Sequence, residues 1–121
     1  MFLVTTDKAK RLLHMSFIGN VTPEELQKGG KDLAALLADF PAGLLLLADL
    51  ELLQFMGEEC VEQLGKTMEL LDRHGVELVA RVIPDPTKDI GLSILTVFHY
   101  RRPPRTVICQ TMEEAARALQ L

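Results

Sequence analysis

Cysteine is scarce: only Cys60 and Cys109 occur, far apart and outside any CxxC or Cys/His spacing. A disulfide framework and a structural zinc site are thereby excluded, and a reducing cytoplasm is the expected compartment. No apolar run approaches the ~18 residues of a membrane-spanning helix. Residues 1–4 are too few for a signal-peptide core before Asp7, Lys8, Lys10 and Arg11 interrupt them, so neither export nor a stable membrane anchor is expected. Missing too are GxxxxGK[ST], GxSxG and HExxH, and no nucleophile stands beside a base; no metal, cofactor or catalytic constellation is therefore expected. Positive charge is in deficit, with 13 Lys and Arg against 17 Asp and Glu and a net charge of -4. Such a field repels a phosphate backbone, so no nucleic acid partner is expected.

What is present is ordinary globular material, 48% hydrophobic and 25% charged over 121 residues. That length fits a single domain, 1–121, able to bury roughly two-thirds of its unfolded surface without metal or disulfide. Residues 2–6 and 11–18 read as a hairpin, with Leu13, Met15 and Phe17 alternating against His14 and Ser16 at the strand period. Thr22-Pro23-Glu24-Glu25 opens a helix as a capping box with proline in the first turn, and Leu26, Gly30, Leu33 and Leu37 form its stripe. The unbroken apolar run 44–47 suits a central strand covered on both faces. A helix over 57–74 shows Val61, Leu64, Met68 and Leu71 inward and stops at Gly75. Strands at 76–83 and 105–109, a short helix at 90–98 and a terminal helix opened by Thr111 complete the order ββαβαβαβα. The fold class is α/β, and the alternation implies parallel pairing of the last three strands through right-handed crossovers.

Four stretches carry a resemblance. They are Phe17-Ile18-Gly19-Asn20-Val21-Thr22, the strand ending at Asp49-Leu50, Gly75-Val76, and Ile83-Pro84-Asp85-Pro86-Thr87-Lys88-Asp89-Ile90-Gly91 running on to Phe98-His99-Tyr100. Over nearly the whole chain the pattern resembles the STAS domain superfamily, and within it the SpoIIAA-like, STAS/SEC14-type bacterial proteins of largely unassigned function. The resemblance implies an anti-sigma factor antagonist-like module that works by binding partners. In its phospho-regulated members a serine follows an aspartate at the start of the helix after the central strand. Here Gly57 stands for the aspartate and Glu58 for the serine, and no Ser, Thr or Tyr occurs from Pro23 to Lys66. No phosphoryl switch is expected at this helix. Glu58 is either a fixed imitation of the phosphorylated state, with one charge where phosphoserine carries about -1.5 to -2, or an ordinary first-turn acid favoured by the helix dipole.

Asp49, Glu51, Asp85, Lys88 and Asp89 fall at or just after strand C-terminal ends, the edge where open α/β sheets bind ligands. Each aspartate also has a local use as a turn or cap residue. His99, Tyr100, Arg101 and Arg102 form the densest basic cluster, suited to a phosphate or an acidic partner and equally to a helix C-terminus. Cys60 and Cys109 read as small buried hydrophobes rather than nucleophiles. The helix 90–98 is apolar almost all round, which suits either a fully buried short helix or an exposed surface for a second copy, a partner or an apolar ligand, with Ile90, Ile94, Leu95 and Phe98 the candidates for that interaction surface. The expected function is a non-catalytic regulatory module, a homodimer or bound to a protein partner. The alternative is a carrier of a small apolar or phosphorylated ligand, held between the helix from Asp89 and the strand ends at Asp49 and Asp85.

Overall fold

The computed structural model describes residues 1–85 and 90–121. In chain order the elements are β1 Phe2–Asp7, β2 Leu12–Phe17, β3 Gly19–Val21, α1 Pro23–Leu37, β4 Leu44–Asp49, β5 Leu53–Met56, a 3-10 turn Glu58–Cys60, α2 Val61–His74, β6 Val76–Val82, α3 Ile90–His99, β7 Arg105–Cys109 and α4 Met112–Leu119. Five strands form one sheet in the order β1-β2-β4-β6-β7. The β1–β2 pair is antiparallel and the other pairs are parallel, with β4 in the centre as its apolar run implies.

Strand parity sorts the side chains onto two faces. Leu13, Met15, Phe17, Leu46, Ala48 and Val79 pack under α1 and α2, whereas Leu47, Leu78, Ala80 and Val82 meet Ala115 and Leu119 of α4. Helix α1 lies against β1, and α4 lies over β6 and β7. The α1 start is the capping box foreseen: the Glu25 N–H donates to Thr22 Oγ1 at 3.2 Å and Thr22 N–H to Glu25 Oε1 at 3.1 Å. At α4 only half of that motif forms, since Glu114 accepts from Gln110 N–H rather than from Thr111.

Four local expectations need correction. The second strand begins at Leu12, because Arg11 closes the hairpin in the left-handed region at φ 52°. A second, two-stranded parallel sheet, β3 with β5, was not foreseen; strands of three or four residues carry too little period to read. In α1 the inward glycine is Gly29, not Gly30. At the start of α2 the buried residue is Cys60, the last of the 3-10 turn, and Val61 is 43% exposed, because that turn shifts the phase of the chain entering the helix.

Candidate functional site

Strands β2, β4, β6 and β7 end at one edge of the sheet, and β5 rises beside it. A groove of about 480 Å³ lies there between Phe55 on β5 and Ile83 and Asp85 beyond β6. A second, of about 460 Å³, lies between Gly57, Glu58 and Val61 at the start of α2 and Ile94 and Leu95 of α3. Met56 and Leu92 line both, so they form one trough with a mainly apolar wall and acidic groups at its margins. Glu58 is exposed at that margin, in a 3-10 turn whose Gly57 cap offers no side-chain hydrogen bond.

The other expected residues scatter. Asp85 is exposed on the trough rim, whereas Lys88 and Asp89 lie outside the described residues. Asp49 shares the parity of Leu45 and Leu47 and points to the α4 face; its Oδ1 accepts from Glu51 N–H at 3.0 Å. The run from His99 to Arg102 does not act as one patch. His99 turns back onto α2, where its Nδ1 meets Glu69 Oε2 at 2.6 Å and its ring covers Gly65; a Cβ there would sit 2.5 Å from His99 Cε1. Tyr100 is buried in the core, where desolvation drives its phenol well above the ordinary range. Arg101 and Arg102 are exposed and His99 is half-buried, and the backbone N–H of Arg102 donates to Asp72 Oδ1 at 3.2 Å.

Helix α3 divides more sharply than its composition implies. Leu92 and Leu95 pack against the core, while Ile94, Val97 and Phe98 stand 51%, 72% and 77% exposed. Ile94 and Phe98 are thus outward as expected; Val97 joins them and Leu95 does not. Ile90 begins the helix.

Two groupings were invisible in sequence. On the α4 side, His14 Nε2 lies 3.2 Å from Ser16 Oγ and 3.9 Å from Asp49 Oδ2. A serine triad needs the carboxylate on the other ring nitrogen, so that imidazole can pass a proton between the two. With both groups on Nε2 this arrangement is no nucleophile. The second grouping surrounds Arg81, which is 6% exposed and donates from Nη2 to Thr96 Oγ1 at 3.5 Å. Arg81, Thr67, Thr96, Tyr100 and Thr106 line one cavity of about 50 Å³ between the sheet and α2 and α3. The sign in the sequence was a lone arginine in an apolar strand at the inward parity of Val79.

Burial raises both thiols above their ordinary range, and Cys60 Sγ–H donates to Val21 O at 3.4 Å; neither is an activated nucleophile. Among the described residues no three His, Cys, Asp or Glu come together as a metal site, and no helix is long and apolar enough to cross a membrane.

No protein-family model matches the sequence, and no curated protein matches it. Solved structures do. An uncharacterised protein of the DUF3478 family from Shewanella loihica, with a SpoIIAA-like fold, superposes with a TM-score of 0.72 at 14% identity, over 98% of this chain and 92% of that one. The chain has the SpoIIAA-like fold. The anti-sigma factor antagonist SpoIIAA in its unphosphorylated form matches with a TM-score of 0.66 at 15% identity, over 99% and 98% of the two chains. An anti-sigma factor antagonist from Mycobacterium paratuberculosis matches with 0.59 at 20%, over 100% and 94%. The superpositions span almost the whole chain, so the frame that carries the trough and the α3 ridge is the SpoIIAA-like one.

Proposed function

We propose that the chain is a non-catalytic regulatory module of the STAS type, working in the cytoplasm by protein contact along the trough and the outer face of α3. The observation that carries this reading is the exposure of Ile94, Val97 and Phe98 on one face of a helix beside Glu58. Large apolar side chains clustered in solvent mark an interaction surface. The two anti-sigma factor antagonists of the same fold support it by analogy, an analogy of architecture. The start of α2 holds no hydroxyl acceptor, so contact there is regulated without phosphoryl transfer to α2. Incubation with a serine kinase of an anti-sigma system is expected to yield no phosphorylated peptide from residues 50–66; one such peptide sinks that part of the reading.

A second reading, a small-ligand carrier, is favoured by one observation, the buried Arg81 lining a mainly apolar cavity together with Thr67, Thr96, Tyr100 and Thr106. A guanidinium there suits a carboxylate or phosphate head with an apolar body. At about 50 Å³ the cavity holds water-sized occupants only, far short of the ~300 Å³ of a typical ligand pocket, so a carrier has to swing α3 outward to load. Native and denaturing mass spectra of gently purified protein separate the two readings. No mass lost on unfolding is expected; a stoichiometric small molecule released on denaturation replaces the module with the carrier.

A further inference from the structure

We infer that the outward face of α3 is a two-fold contact between two copies of this chain, their α3 helices antiparallel, with Glu58 and Glu59 of each copy facing Arg101 and Arg102 of the other. The inference rests on the reading of the chain as an interaction module and names the occupant of its ridge.

The apolar part comes first. Ile94, Val97 and Phe98 recur at i, i+3 and i+4 and so form one face of a helix about 15 Å long. Val61, 43% exposed, lies beside Ile94 across the second groove, and Phe55, 62% exposed, extends the apolar surface from β5. Aromatic and branched aliphatic side chains gathered on one exposed ridge have the composition of an interface core.

Charge then selects the occupant and its direction. Helices α2 and α3 are successive crossovers of a parallel sheet and run alongside one another in the same sense. The α3 start lies by Gly57, Glu58 and Val61, its end by Gly65 and Glu69. Beside the ridge Glu62 is paired with Lys66, and at the α3 end Glu69 is hydrogen-bonded to His99 while Asp72 accepts from the Arg102 backbone N–H. At the two ends Glu58, Glu59, Arg101 and Arg102 are exposed, and none forms an ion pair with another described residue. The surface is therefore acidic at one end, apolar along the middle and basic at the other end. Such a surface is complementary to itself when turned end for end by a two-fold axis across α3. A parallel pairing sets acid on acid, and an anionic lipid surface is repelled at the Glu58 end. Val97 is 72% exposed on the same face as Ile94 and Phe98, between the charged ends, and the proposed axis is placed beside it.

Sedimentation velocity from micromolar to sub-millimolar concentrations tests this. The wild type is expected to dimerise, and Phe98→Glu to be monomeric with an unchanged thermal melt. Reversing the basic end, Arg101→Glu with Arg102→Glu, is expected to weaken association at least tenfold at low salt. Adding Glu58→Arg and Glu59→Arg to that variant restores it only in the antiparallel geometry. In a Val97→Cys variant mild oxidation gives a covalent dimer, since the native cysteines are buried. A wild type that stays monomeric, a dimer that survives Phe98→Glu, or a four-fold reversal without recovery overturns the proposal. A monomer that loses no mass on denaturation leaves the module reading standing without the dimer, whereas release of a small molecule removes the module reading itself.

Discussion

Replacing Leu95 by aspartate is expected to destabilise the fold by about 2–4 kcal/mol, while the same change two residues on, Val97→Asp, stays within about 0.5 kcal/mol. Composition treats the two positions alike, but the structure does not. Leu95 is partly buried and packs against the core under α3, with Leu92 beside it, so a carboxylate there loses part of its hydration and the apolar contact. Val97 is 72% exposed on the outer face, where an aspartate keeps its water. Urea unfolding at low protein concentration measures both without a contribution from self-association. Equal losses at the two positions contradict the orientation of α3. The pair also corrects a natural choice of probe: Leu95→Asp reports on folding, and the outward Phe98 is the side chain that reports on assembly.

The second large effect concerns neighbours of identical type. Gly29→Ala is expected to destabilise by about 1–2 kcal/mol, whereas Gly30→Ala is expected to stabilise by about 0.5–1 kcal/mol. Both lie inside α1, where alanine gains helix propensity over glycine and restricts the unfolded chain. At Gly30 nothing lies within 4 Å of an added Cβ, and that gain is realised in full. At Gly29 the added carbon would overlap the ring of Phe2, and the ring has little room to retreat. It is 8% exposed and packed against Phe17, with centroids 4.9 Å apart and the ring planes tilted by 42°. Moving it disturbs β1, the core and the α1 contact together, a cost of overpacking that exceeds the propensity gain. Thermal unfolding followed by circular dichroism reads the sign directly, at about 4 °C per kcal/mol for a chain of this size. Shifts in the same direction contradict the assigned face of α1.

The contrast between Gly29 and Gly30 shows where the sequence was legible. Alternation in β2, the apolar run of β4, the Thr22 cap and the Gly75 stop are local signals, and each marks an element that the structure contains. The phase of a helix face is less local. Gly30 fits the stripe of Leu26, Leu33 and Leu37 about as well as Gly29, and only the position of Phe2 on a distant strand decides between them. The 3-10 turn before α2 moves the buried position from Val61 to Cys60 for a similar reason. β3 and β5 stabilise one another across more than thirty intervening residues, and neither shows a period alone.

The trough was legible as a location, since Asp85 and Glu58 mark its margins, but not as a list of side chains. Parity could have turned Asp49 toward the α4 face. His99 and Tyr100 could not be separated from Arg101 and Arg102 without knowing that α2 passes beneath them. Arg81 was legible as a charge at the inward parity of Val79, but the cavity it lines is assembled from α2, α3 and β7 as well and has no local signal.

Helices α1 and α4 lie on opposite faces of the sheet and toward opposite edges. Strand β4 keeps two ladder partners and is packed on both faces, while β1 and β7 each keep one ladder and face different helices. Local stability is then unevenly distributed. Amide protons of β4 are expected to exchange with solvent only on global unfolding, and those of β1 and β7 through separate, smaller openings. The molecule therefore has two edges that loosen independently around one rigid strand, so strain applied at α3 and β7 need not reach the hairpin on the other side.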